Sequence, residues 1–248
     1  MAPRWRGGVK ILVLTHLRSG WHFFRYSAGQ VFAGRFIYFL LFAVAVFLFV
    51  TVIHAVEEAV PPNAGQIYYF MLAPAMLLTF YPSAYAIQSD VDARMLETLF
   101  GIPDYRYKVW LARQVVQQIV IGTFLLMLAL LCQAALADFS VMKMVFHLMF
   151  PVLFFGCLGF ALATIVRSGN GAAAVLVSIG LFLWILTEPL EGSRWNLFYN
   201  PFAQLEAYEA MVQSQTTFYN RAYLLAGSGA LLLLGLLRLQ QRERYMQG

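Results

Sequence analysis

Hydrophobic and polar positions segregate into blocks along this chain instead of alternating. Apolar runs cover about Phe36 to Ile53, Ile67 to Ile87, Val115 to Ala137, Met144 to Val166, Ala172 to Leu186 and Ala222 to Leu237. The first run comes close to the roughly 20 residues an α-helix needs to cross the hydrocarbon core of a bilayer, and the other five are read as spans beside it. The pattern predicts an all-α integral membrane protein with six transmembrane helices. Pro74 and Pro82 fall inside the second run. Each removes a backbone donor, so that helix is expected to be kinked. Between runs stand breakers: Pro61, Pro62, Asn63 and Gly65 after the first, Asp138 after the third, and Arg167-Ser168-Gly169-Asn170-Gly171 after the fourth.

Two segments outside the runs have patterns of their own. In residues 1–34, Val13, Leu17, Trp21, Phe24 and Ala28 make an apolar stripe beside a basic one of Arg18, His22 and Arg25. This predicts an amphipathic helix lying in the membrane interface, and it is expected to stay uncleaved because no small-residue cleavage site stands before Ala55. Residues 35–248 then form one six-span domain. Within it, 187–221 is long, mildly polar and aromatic, with Trp195, Phe198, Tyr199, Tyr208, Phe218 and Tyr219. Aromatics with one polar end favour the headgroup level. Short interfacial or re-entrant helices, broken at Gly192 and Asn200-Pro201, are expected there.

The largest charged insertion, 89–113 (SDVDARMLETLFGIPDYRYKVWLAR), lies between the second and third runs and so outside the hydrocarbon. Met95, Leu96, Leu99 and Phe100 share a helical face, with Asp90, Asp92, Arg94 and Glu97 on the rest of the turn pattern. Gly101 and Pro103 supply a stop. A short amphipathic helix held at the membrane surface between two spans is predicted.

Composition narrows the picture. Hydrophobic residues make up 61% and charged residues 12% of the chain, against about 45–50% apolar residues in soluble domains. The net charge of +5 matters less than its distribution. On the six-span reading every cation except Lys143, Arg194 and Arg221 falls on one side, which the positive-inside rule makes cytoplasmic. Both termini and the charged insertion are then cytoplasmic, and the aromatic segment faces outward. Cys132 and Cys157 lie inside apolar runs without CxxC spacing, which argues against a disulfide framework or a metal site.

The insertion resembles the signature of ABC-2 type transporter permeases. Asp90 and Asp92 stand at its two leading acidic positions, Leu96-Glu97 at its Leu-Glu pair and Leu99 at its second Leu. Pro103 matches its Pro, Arg106 its basic position, and Ala112-Arg113 its small-basic pair; Arg94-Met95 replace its Gly-Thr pair. The resemblance implies the membrane subunit of an ATP-driven exporter, with the insertion as the coupling helix that seats on a separate ATPase subunit. The coupling positions would be Asp90, Asp92, Arg94, Leu96, Glu97, Leu99, Phe100, Pro103, Arg106 and Arg113. It also implies a second permease chain, a bacterial inner-membrane location, and ATP with Mg bound by the partner and not by this chain. Consistent with that, no G-x-x-x-x-G-K-[ST] phosphate cradle occurs.

Polar residues within spans either bond between helices or line a path. Tyr81, Tyr85, Gln117 and Gln118 are the candidates for a translocation path, with Gln133 and His147 as further polar groups. Gly156, Gly159, Gly227, Gly229 and Gly235 are expected to allow close helix packing. An intramembrane hydrolase would need a nucleophile and base at matched depth, and Ser228 with His147 or His54 has no recognisable spacing for it. A membrane anchor that transmits force from an ATPase without moving a solute is the alternative function. The aromatic outer segment points to an amphipathic or lipid-like cargo.

Overall fold

A computed structural model describes residues 36–57, 61–92, 109–166, 168–203 and 207–246. The predicted interfacial helix of residues 1–34 and the middle of the charged insertion, 93–108, lie outside them. The described residues form six helices and no strand: α1 Phe36–Glu57, α2 Ala64–Asp92, α3 Leu111–Ala135, α4 Val141–Val166, α5 Gly169–Ile185 and α6 Ala207–Met246. All but α5 are long and apolar enough to cross a membrane. With 17 residues, α5 is about 25 Å long at 1.5 Å per residue, short of a core about 30 Å thick.

Local chemistry sets the helix starts. Asn63 caps α2 in a reciprocal box: its Oδ1 accepts from Gln66 N and its own N donates to Gln66 Oε1, each at 2.9 Å. The breaker sequence therefore launches α2 at Ala64, ahead of the expected start. Ser168 caps α5 by accepting from Gly171 N at 3.0 Å. Pro74 and Pro82 sit inside a continuous α2, and Pro151 inside α4.

Two helices form the centre. Helix α2 packs against α1, α3, α4 and α5, and α4 packs against α2, α3, α5 and α6. Met71, Leu72 and Leu78 of α2 and Leu148, Val152 and Phe155 of α4 are almost fully buried. On the flanks, Leu41, Phe42 and Phe49 of α1 and Leu233 and Leu237 of α6 stay exposed, as a helix facing lipid on one side requires. Small residues allow the close approach. A Cβ on Gly235 would stand 2.6 Å from Phe160 Cε1, and one on Gly159 would stand 2.6 Å from Ser83 Cβ. Gly156 and Gly227 pack tightly too, whereas Gly229 has nothing within 4 Å.

The aromatic segment departs from expectation. Residues 186–203 run as successive turns without a helix, and α6 then continues unbroken for 40 residues from Ala207. The stretch 207–221 is therefore the beginning of the last helix and not a separate interfacial piece. It contains neither Gly nor Pro, so nothing in it stops a helix that the apolar residues after it stabilise. Only Met211–Leu239 of α6 has the composition of a span. Gly192, at φ 71°, adopts the left-handed backbone that suits a glycine at an expected break.

Candidate functional site: two polar clusters and a latch

The beginning of α3 carries three amides toward α4. Gln114, Gln117 and Gln118 occupy its first two turns, and their Nε2 atoms would stand 2.7, 3.6 and 2.8 Å from a Cβ on Gly156. Only glycine at 156 leaves room for this glutamine nest. Gln117 Nε2 donates to the Thr79 carbonyl of α2 at 3.5 Å, and Gln114 Nε2 approaches Cys157 Sγ at 3.9 Å. Ser83 Oγ donates to the same Thr79 carbonyl at 2.6 Å. Both polar atoms of the Gln118 amide are buried and have no hydrogen-bond partner among the described residues. In an apolar surrounding each such atom costs about 1–3 kcal/mol on mutational scales.

Tyr81 and Tyr85 occupy another side of α2. Phe39 of α1 stacks on Tyr81 with centroids 4.5 Å apart, and Tyr81 stacks on Tyr85 at 5.0 Å. Tyr85 Oη bonds Asn170 Oδ1 at the start of α5, and Gly169 N donates to Gln88 Oε1 at 3.4 Å. Thus Gln117 meets Gln118 and Tyr81 meets Tyr85. The glutamines converge on Gly156 of α4, and the tyrosines lie between Phe39 of α1 and Asn170 of α5.

The remaining cluster surrounds a cation that the sequence assigns to a loop. Arg221 is inside α6 and buried. It donates from Nη1 to Asn220 Oδ1 at 3.0 Å, from Nη2 to the Tyr199 carbonyl at 3.1 Å and from Nε to His147 Nδ1 at 3.4 Å, with Phe150 beneath its guanidinium at 5.5 Å. None of these partners is a carboxylate. Buried Tyr68 lies within electrostatic reach of the same guanidinium. Asn220 Nδ2 donates to the carbonyls of Arg194 and Asn196 at 2.9 and 2.7 Å, and Asn200 Nδ2 to that of Gly65 at 2.9 Å. Asn196 and Asn200 each also accept from the backbone N two residues on, as Asx turns do. Carbonyls of a segment without helix or sheet are thereby satisfied. Burial holds the Tyr199 hydroxyl above the ordinary tyrosine range.

Of the coupling positions, Arg94, Leu96, Glu97, Leu99, Phe100, Pro103 and Arg106 lie outside the described residues. Asp90 and Asp92 are the last turn of α2. Arg113 is buried in α3 with its guanidinium 5.0 Å from the Trp110 ring centroid. Gln133, a further polar candidate, bonds its own loop at Phe139 O. Among the described residues no group of His, Cys, Asp or Glu could hold a metal ion.

The sequence did carry a signal for the nest, since positions 114, 117 and 118 are spaced for one helix face. Arg221 had a weaker one, a cation abutting an apolar run that could only be satisfied inside the protein. Comparison with family models, with curated proteins and with solved structures finds no match.

Proposed function

We propose that this chain is the membrane subunit of an ATP-driven exporter of the ABC-2 type, driven by a separate ATPase that engages residues 89–113. The observation that carries this reading is where that segment hangs. Its first residues, 89–92, are the last turn of α2, which packs against four of the other five described helices, and its last, 111–113, open α3. A displacement applied there therefore has a short mechanical route into most of the bundle, because packed cores deform little and pass motion on. The permease-like charge pattern of 89–113 and the absence of a phosphate cradle from the sequence point the same way.

In this reading α5 is a span as well, the fifth of six in chain order, shortened because the turns from Leu186 onward continue its path. The even number puts both termini and residues 93–108 in the bacterial cytoplasm, and it puts the Arg221-held segment outside. A second permease chain completes the unit, and the path uses Gln117 and Gln118. The cargo is amphipathic, matching an amide cluster set among apolar helices.

Mild-detergent purification of the tagged chain from its native membranes, with mass spectrometry of what accompanies it, tests the assignment. A stoichiometric soluble protein with a phosphate-cradle sequence is the expected companion. Recovery of the chain without one in several detergents would overturn it. A membrane anchor would bind the same companion, but Gln118→Leu would leave its ATPase rate unaffected by added amphiphiles. In an exporter that response changes.

A further inference from the structure

We propose that the glutamine nest at Gly156 is a subsite for an uncharged hydroxyl or amide group of the transported amphiphile. This rests on the transporter reading and names the chemical class of its substrate. Gln118 supplies an unmet donor, Nε2, and an unmet acceptor, Oε1, within one side chain. A hydroxyl or amide satisfies both, because it donates and accepts through the same group. An ammonium only donates and a carboxylate or sulfate only accepts, so either leaves one Gln118 atom unmet.

Charge gives the same answer. Gln114, Gln117, Gln118, Thr79 and Ser83 are neutral, so no counter-charge within the cluster offsets the desolvation of an ion. Arg113, the residue before Gln114, is buried with its guanidinium engaged by the Trp110 ring. The apolar part of the ligand has a place as well. Helices α3 and α4 are both long and apolar enough to span the membrane, so a chain anchored at the nest can lie along their lipid-facing sides. Gly156 is what keeps the amides within reach of α4, since a methyl there would collide with two of them.

The test uses the full chain in lipid nanodiscs and three probes with the same eight-carbon tail: octyl-β-D-glucoside, octyl sulfate and octylammonium, each below its micellar concentration. At about ten times its apparent Kd the glucoside should raise the thermal midpoint by roughly 3–6 °C. The ionic probes should not, and Gln118→Leu should abolish the shift. Gln133→Leu, which alters an amide bonded to its own loop, should keep it. Equal shifts from all three probes, a shift that survives Gln118→Leu, or no glucoside shift in the unaltered chain would each overturn the subsite. Co-purification of the ATPase is scored separately. A partner present with no glucoside response defeats the subsite alone, and an absent partner defeats the transporter reading.

Discussion

Tyr85 of α2 and Asn170 of α5, 85 positions apart, are joined by a hydrogen bond from the phenol to the amide oxygen. The contact ties the first turn of α5 to α2 about two turns before α2 ends at Asp92. Replacing Tyr85 by Phe keeps the stack on Tyr81 and removes only the bond. Backbone hydrogen exchange over 169–175 should rise, with a cost of about 0.5–1.5 kcal/mol. Asn170→Ala should do the same, and the double variant should be no worse than either alone. Additive effects would show that the two side chains act independently.

Arg221 holds the non-helical segment by its own bond to the Tyr199 carbonyl and by orienting Asn220. Arg221→Met leaves these acceptors unmet at about 1–3 kcal/mol each. Trypsin cleavage after Arg194, whose side chain is exposed but whose carbonyl is held by Asn220, should accelerate about tenfold or more, since cleavage tracks the open population. Arg221→Lys should fall between the two, because an ammonium cannot reproduce the planar fork. An unchanged cleavage rate in Arg221→Met would show that the segment is held by other contacts.

Helix α6 meets α4 where Gly235 faces Phe160. A methyl on Gly235 would sit 2.6 and 2.7 Å from two ring carbons, so Gly235→Ala should destabilise the chain by about 1–3 kcal/mol. Phe160→Leu should recover part of that loss in the double variant. Thermal midpoints of all four proteins in nanodiscs check it, and strict additivity would exclude the contact as the cause.

For the ATPase partner proposed above, apolar burial in the charged insertion should contribute more to binding than rim charges, which typically add up to about 1 kcal/mol per pair. Leu99→Asp should therefore abolish co-purification of the ATPase, whereas Glu97→Gln should weaken it less than tenfold. Pull-down yield against added salt separates the two. The reverse ranking would make the interface electrostatic.

Membrane orientation can be read by thiol labelling, because the native Cys132 and Cys157 are buried and should stay silent. A membrane-impermeant maleimide should label Glu191→Cys in intact spheroplasts. A cysteine at Met246 should react only after permeabilisation. The opposite pattern would invert the proposed topology.

Blocks of apolar residues long enough to cross a bilayer determined the all-helical membrane class and the approximate place of each helix, because in hydrocarbon the backbone must bond within its own segment. Breakers marked several ends, although Asn63 and Ser168 acted as caps that start helices and not as turns that separate them. Composition misled at the last helix. Polar residues from Ala207 to Arg221 look like a loop by composition, yet nothing among them breaks a helix. What only the tertiary structure decided was pairing. It put Gln114, Gln117 and Gln118 of α3 against Gly156 of α4, set Tyr81 and Tyr85 of α2 between Phe39 and Asn170, and turned Arg221 inward onto the Tyr199 carbonyl. Each depends on which helix face meets which neighbour. In an apolar environment that is set by the fit of small and large side chains across interfaces, and a single chain's hydrophobic pattern does not record it.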